Sequence, residues 1–267
     1  MSGPADGRHI ALANETAVLR ALFRGGWLRT RDLACLVWQT WARTPPKTGP
    51  SLTPPVATSS GIRMAQKTLA RLRKRQLILT TQAPNGSFIH TISERGARVL
   101  QGIGISANSG KDLMRDYHAA YFLHRNIANE IAISGILEGF RAATEREISQ
   151  GHWLGGTAGI LGKKPDVLIR SGSTAWWIEV ERSRKNQKDY ATLLKWLDAI
   201  WKTSPRLGES ARLTDSVQLK QVIFICTAVF AQKLDSDLQS RGWSLEQVSN
   251  RIRFEKCLYS FKAISFF

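Results

Sequence analysis

Cysteine is scarce: Cys35, Cys226 and Cys257 stand far apart in a chain of 267 residues. No CxxC pair exists and three thiols cannot all pair within one chain. This argues against structural zinc and for a reducing, cytoplasmic setting. No apolar stretch reaches the ~18 residues of a spanning helix, so no membrane span is expected. The first residues, MSGPADGRHI, lack the apolar stretch of a signal peptide. The five histidines, His9, His90, His118, His124 and His152, include no HxH pair. There is no internal repeat and no long low-complexity run, and the proline-rich piece Thr44–Pro55 reads as a loop.

Acid is also in short supply: 21 Asp and Glu face 38 Lys and Arg, a formal net charge of +17. A balance of that size and sign favours a polyanion, ordinarily nucleic acid. The excess is uneven. Residues 1–110 hold 15 basic and 4 acidic side chains, and residues 111–267 hold 23 and 17. The first part is charged like a polyanion binder, whereas the second has enough carboxylates to build a metal site. Hydrophobic content of 43% supports a packed core and argues against wholesale disorder.

In residues 14–24, Val18, Leu19, Leu22 and Phe23 define one helical face, with Asn14 or Thr16 as cap and Gly25-Gly26 as terminator. Thr30 can cap a second helix, RDLACLVWQTW. A third is expected over Ser60–Arg75, with Ile62, Ala65, Leu69 and Leu72 inward and Arg63, Lys67, Arg71 and Lys74 forming a basic stripe. Asn85-Gly86 between two strand-like runs predicts a hairpin with both central residues at positive φ. The stretch SERGARVL follows as a helix. Three helices, a hairpin and a helix is the order of a winged helix–turn–helix. In that fold Arg63, Gln66 and Lys67 would lie near base edges, and Arg71, Lys74, Asn85 and Ser87 near phosphates. A solvated basic face, or a winged helix that binds protein, is the plainer alternative.

Gly102–Lys111 reads as a linker, followed by a long helix over Asp112–Ile133 and a strand over Ala142–Ile148. DVLIR and TAWWIEVE are strand-like runs separated by SGS. With Gly172-Ser173 as a two-residue turn, Ser171 pairs with Thr174. Asp166 then falls opposite Glu179, and Glu181 shares that face. Trp176, Ile178 and Val180 point the other way. Three converging carboxylates would repel one another, raising the proton affinity of at least one. A hard divalent cation, Mg²⁺ or Mn²⁺, would relieve this and activate water for phosphodiester hydrolysis. An edge hairpin with its charges in solvent is the alternative. Further on, Leu193, Trp196, Leu197 and Ile200 form a helical core stripe, and QVIFICT suits a buried central strand. RIRFEK and CLYSF read as final strands or partner contacts.

KPD-x12-EVE on a hairpin followed by a helix resembles the PD-(D/E)xK restriction-endonuclease-like superfamily, with Glu181 where that pattern has lysine. Lys185 or Lys188 could take the missing role, or serve as phosphate binders or solvent-facing charges. Over nearly the whole chain, the series TERE, KPD and IEVERSRK is similar to the replication-relaxation family, which includes the C-type (MOBC) plasmid mobilisation relaxases. The resemblance implies an α/β (α+β) chain. A winged helix–turn–helix at 1–105 would precede a restriction-endonuclease-like mixed sheet flanked by helices at 106–267. It implies a bacterial DNA nickase acting at an origin of transfer, with mobilisation or coupling proteins as partners. It also suggests Glu145 as a further catalytic and metal-binding acid beside Asp166, Glu179 and Glu181, with Glu147 and Glu130 left open as substitutes. Among the tyrosines, Tyr190 is the candidate for a covalent nucleophile. An inactive nuclease-like domain serving a DNA-binding regulator, and a double-strand endonuclease, are the alternative readings.

Overall fold

The computed structural model describes residues 7–83, 85–115, 119–181, 187–201 and 210–256. The chain is mixed α/β; the described residues form a small three-stranded sheet near its start and a six-stranded mixed sheet further on. Helix α1 (Gly7–Gly25) begins seven residues before the expected start. Its first turns carry no inward stripe to read: Ile10 and Leu12 are 50% and 57% exposed. The buried face starts at Glu15 and Val18. Strand β1 (Leu28–Arg29) leads into α2 (Thr30–Trp38). Thr30 is the first residue of α2 and not its cap; the Asp32 carboxylate instead accepts the Arg29 backbone N–H at 2.9 Å. Helix α3 (Ser59–Lys74) is capped by Thr58, whose hydroxyl accepts the Gly61 N–H.

Strands β2 (Ile78–Gln82) and β3 (Phe88–Ile92) pair antiparallel, with Gln82 opposite Phe88. Gly86 has φ +77°, and the Ala83 N–H donates to Ser87 O. The connection is therefore a three-residue loop with glycine in the left-handed position, in place of the expected two-residue turn. The sheet order is β1-β3-β2. Helix α4 (Glu94–Gln101), capped by Ser93, follows as expected.

The expected long helix appears as α5 (Lys111–Arg115) and α6 (Ala119–Leu137). Beyond it the AATEREI reading fails. Strand β4 covers only Arg141–Ala143, and Glu145–Ser149 is a helix, α7. The cause is a capping box: Thr144 Oγ1 accepts the Glu147 N–H at 3.2 Å, and Glu147 Oε2 accepts the Thr144 N–H at 3.0 Å. Glu145 and Glu147 therefore leave the strand and do not share a sheet face.

Strands β5 (Val167–Ser171) and β6 (Thr174–Glu181) pair as expected, from Ser171 opposite Thr174 to Val167 opposite Ile178. Gly172, at φ +56°, provides the left-handed position at the turn. Helix α8 (Gln187–Trp201) and strand β7 (Ala211–Thr214) then lead to β8 (Val217–Cys226), which runs parallel to β6. Helices α9 (Ala228–Ser240) and α10 (Leu245–Arg251) precede β9 (Ile252–Glu255), also parallel to β8. Of the two expected terminal pieces, RIRFEK supplies β9, and CLYSF lies outside the described residues.

Alternation along β6 divides the core into two faces. Trp176, Ile178 and Val180 pack with Ile127 and Ile131 of α6. Trp177 packs on the other face with Leu193, Trp196, Leu197 and Ile200 of α8 and Leu234 and Leu238 of α9. The N-terminal elements do not pack alone. Ile133 of α6 belongs to the cluster formed by α1, α3 and α4, and Trp27 stacks on Phe122 with centroids 5.2 Å apart. Helix α6 is thus shared by both halves and places polar side chains where they meet.

Candidate functional site

The carboxylates singled out from the sequence lie where α6 crosses the start of β5 and the end of β6. Asp166, one residue before β5, is fixed on both oxygens. Its Oδ2 accepts the Val180 backbone N–H at 2.7 Å, and Oδ1 lies 3.0 Å from His124 Nε2 on α6. Glu179 is almost fully buried, with Lys163 Nζ 2.9 Å from Oε1 and the Trp177 indole N–H donating to the same oxygen at 2.6 Å. Glu145, the first residue of α7, accepts from Arg125 Nε at 3.2 Å and from the Tyr121 hydroxyl at 3.1 Å. Arg125 also bonds the Tyr121 hydroxyl.

Each of these acids therefore has its own cation: Asp166 with His124, Glu179 with Lys163 and Glu145 with Arg125. For Asp166 and Glu179, two of the three carboxylates expected to repel one another, an internal cation offsets that repulsion. Burial alone would raise the Asp166 carboxyl, but His124, the Val180 N–H and Lys163 together hold it below the usual carboxylate range. Burial opposes the charged form of His124, yet Asp166, and more distantly Glu145 and Glu179, lift its pKa to about 9. His124 is thus a cation at neutral pH, and the three acids act on it together.

The lysine at Glu179 comes from a position that the sequence reading passed over. Ile160 and Lys163 close a tight turn through two backbone hydrogen bonds of 2.9 and 3.1 Å. Leu161 and Gly162 between them have φ of +51° and +76°. A leucine in the left-handed region costs on the order of 1 kcal/mol or more. The turn is clamped by Trp196, whose indole N–H donates to Ile160 O at 2.9 Å and whose ring lies 6.0 Å from Lys163 Nζ. Of the two lysines proposed from the sequence, Lys185 lies outside the described residues and Lys188 is exposed on α8.

Glu181 is buried one alternation beyond Glu179, paired in register with Cys226 of β8. Among the described residues no three His, Cys, Asp or Glu side chains converge as a ready ligand set. The two substitutes for Glu145 are committed elsewhere: Glu147 bonds Arg24 at 2.7 Å, and Glu130 pairs with buried Arg29. The Tyr190 hydroxyl donates to Asp237 at 2.8 Å, and burial together with that carboxylate pushes its pKa upward, away from nucleophilic use.

The pair formed by His124 and Asp166 sets a pH window. A histidine whose folded pKa is raised contributes stability fully below the unfolded value near 6.5 and loses it as pH passes the folded value. In metal-free buffer, the wild type is expected to lose roughly 2 kcal/mol more stability between pH 6.5 and 9.5 than His124→Gln. Chemical denaturation across that range checks this, and parallel curves would refute it.

The basic stripe of α3 is partly as expected. Arg63, Gln66, Lys67 and Lys74 are exposed, and Arg63, Lys67 and Lys74 make no ion pair among the described residues. Arg71 differs: its Nε lies 3.0 Å from Glu15 on α1, and Arg75 binds the same carboxylate. At the hairpin, Asn85 Oδ1 accepts from the Ser87 N–H at 3.1 Å and from its hydroxyl, so those polar groups already hold each other. Compared with known protein families, curated proteins and solved structures, the chain finds no match.

Proposed function

We propose that this chain is a metal-dependent DNA nickase of the relaxase kind, in which an N-terminal reader presents DNA to the site between α6 and β6. The observation that carries the reading is Asp166, held by the Val180 N–H next to Glu179 at the end of β6, with Lys163 Nζ 2.9 Å from Glu179. Two carboxylates and a lysine form the constellation that the PD-(D/E)xK resemblance requires, with Lys163 in place of the lysine absent at Glu181. The donor set suits Mg²⁺ or Mn²⁺, since it offers hard carboxylate oxygens and a lysine ammonium already stands as a cation beside Glu179. Asp166 and Glu179 would hold the ion, with Glu181 on the same strand face as a further ligand. Glu145, tied to Arg125 and Tyr121, becomes a positioning residue for α6. When bound, the ion supplies Lewis acidity and a lowered pKa for water. Lys163 would donate a hydrogen bond to the attacking water or to a phosphate oxygen, and His124 keeps Asp166 in place.

The element order α1-β1-α2-α3-β2-β3, with sheet order β1-β3-β2, supports reading residues 1–105 as a winged helix–turn–helix. Arg63, Gln66 and Lys67 would face base edges, with Lys74 on a phosphate. An origin of transfer is the proposed target, with mobilisation or coupling proteins as partners in a bacterial cytoplasm. Lys74→Ala should weaken binding to every sequence alike and reduce the salt slope of binding by about one. An unchanged slope would remove Lys74 from the interface.

The test of activity is conversion of supercoiled plasmid carrying the cognate origin to open circles on adding Mn²⁺ or Mg²⁺. Linear product would mark a double-strand endonuclease. Tight DNA binding without cleavage in either metal would favour the second reading, a DNA-binding regulator with an inactive nuclease-like domain. The pairing of all three acids with internal cations is the observation on its side.

A further inference from the structure

A cavity of about 670 Å³ lies between the two halves; none of Asp166, Glu179, Glu181 and Glu145 lines it, and the proposed function gives it no task. Helix α1, the end of α2 with Trp41, and the middle of α6 line it. Its apolar lining includes Ala17, Leu36, Val37, Ile133 and Ile136. The volume falls within the range of small-molecule sites, which pair an apolar lining with a few placed polar groups. Its ionisable lining residues are His9, Arg20 and Arg24, with no carboxylate among them. Arg24 is already held by Glu147 and by the Ala142 carbonyl. Arg20, by contrast, is exposed and makes no hydrogen bond or ion pair among the described residues. Trp41 and Leu12, 47% and 57% exposed, also line the cavity.

We infer that this cavity is a binding site for a small amphipathic anion, an apolar chain or ring system ending in a carboxylate, sulfonate or phosphate. The apolar body occupies the space between α1 and α6, and Arg20 pairs with the charged end. Charge complementarity selects an anion over a neutral or cationic ligand, because the ionisable residues that line the cavity are all basic and Arg20 among them has no carboxylate partner among the described residues. The inference stands apart from the nuclease reading, since none of its residues belongs to the carboxylate site.

Titration of the full chain with 8-anilinonaphthalene-1-sulfonate, followed by fluorescence, tests it against the uncharged N-phenyl-1-naphthylamine. One saturable sulfonate site per chain is expected. Arg20→Gln should weaken the sulfonate about tenfold or more, as loss of a charge-assisted hydrogen bond would, and change the uncharged probe less than about twofold. Ala17→Phe should remove binding of both by filling the space, and Ala13→Phe, at an exposed position on the same lining, repeats the block should the first variant fail to fold. Absence of saturable binding overturns the inference. So does sulfonate binding that survives a folded blocking variant, or equal losses of both probes in Arg20→Gln.

Discussion

Nicking by Asp166→Asn is expected to fall by at least about a thousandfold, the scale on which a group that organises charge in a transition state acts. The amide keeps the shape of the carboxyl and retains an oxygen for the Val180 N–H, which the native Oδ2 accepts at 2.7 Å. It cannot keep the charge that faces His124 and that would hold a hard cation. Metal-free stability should therefore drop by about 1 kcal/mol through the weakened ion pair. No compensating gain from relieved repulsion is expected, because Asp166 and Glu179 each face their own cation. Mn²⁺ at about a hundred times its dissociation constant should stabilise the wild type by about 2.7 kcal/mol, raising its melting temperature roughly 5–10 °C. The variant should gain less than about 2 °C on the same scale. Equal metal-induced shifts would show that Asp166 is not a ligand, and full nicking by the variant would end the metal-site reading.

The features that can be read from the sequence are those set by short-range rules. The pairing of Ser171 with Thr174 follows from Gly172 and the period-two alternation, and it carries through to Val167 opposite Ile178. The core stripe of α8 is legible for the same reason, since Leu193, Trp196, Leu197 and Ile200 are all buried. The TEREI segment is misread because alternation is weighed over a local hydrogen-bonding signal. Thr144-x-x-Glu147 is a capping box, and recognising it would have placed α7 from sequence. Lys163 is harder. It is delivered by a turn that puts Leu161 at positive φ, a conformation that leucine does not advertise, and the clamp on that turn is Trp196, far along the chain. His124 looks like a packing or phosphate-binding residue of a long helix. Its role at Asp166 depends on where α6 crosses the sheet, which no local pattern encodes. Glu130, read as a spare active-site acid, turns out to be part of the junction between the halves.

That junction gives the other large effect. Arg29 is buried and bonds Asp32 through Nε at 2.9 Å and through Nη2 at 2.7 Å, and the same Nη2 reaches Glu130 on α6. Burial opposes its charge, but Asp32 and Glu130 together raise its pKa above the ordinary arginine value. Arg31 lies 3.7 Å from the same Glu130 oxygen. Removing one partner of a buried pair leaves the other charged and desolvated, which typically costs about 3–5 kcal/mol. Glu130→Ala should fall near 3 kcal/mol, at the lower end of that range, because Asp32 still holds Arg29. The combined replacement Arg29→Met, Asp32→Asn and Glu130→Leu should recover most of the loss, since it removes all three buried charges and leaves an amide oxygen at position 32 to accept the N–H of residue 29. Because α6 also carries His124 and Arg125, the single variant should lose nicking activity as well, whereas the recovered triple variant should regain it. Denaturant unfolding of the three proteins measures the first effect and the plasmid assay the second. A loss below about 1 kcal/mol for Glu130→Ala would show that the pair lies in effectively solvated surroundings and does not lock α6 to the N-terminal half.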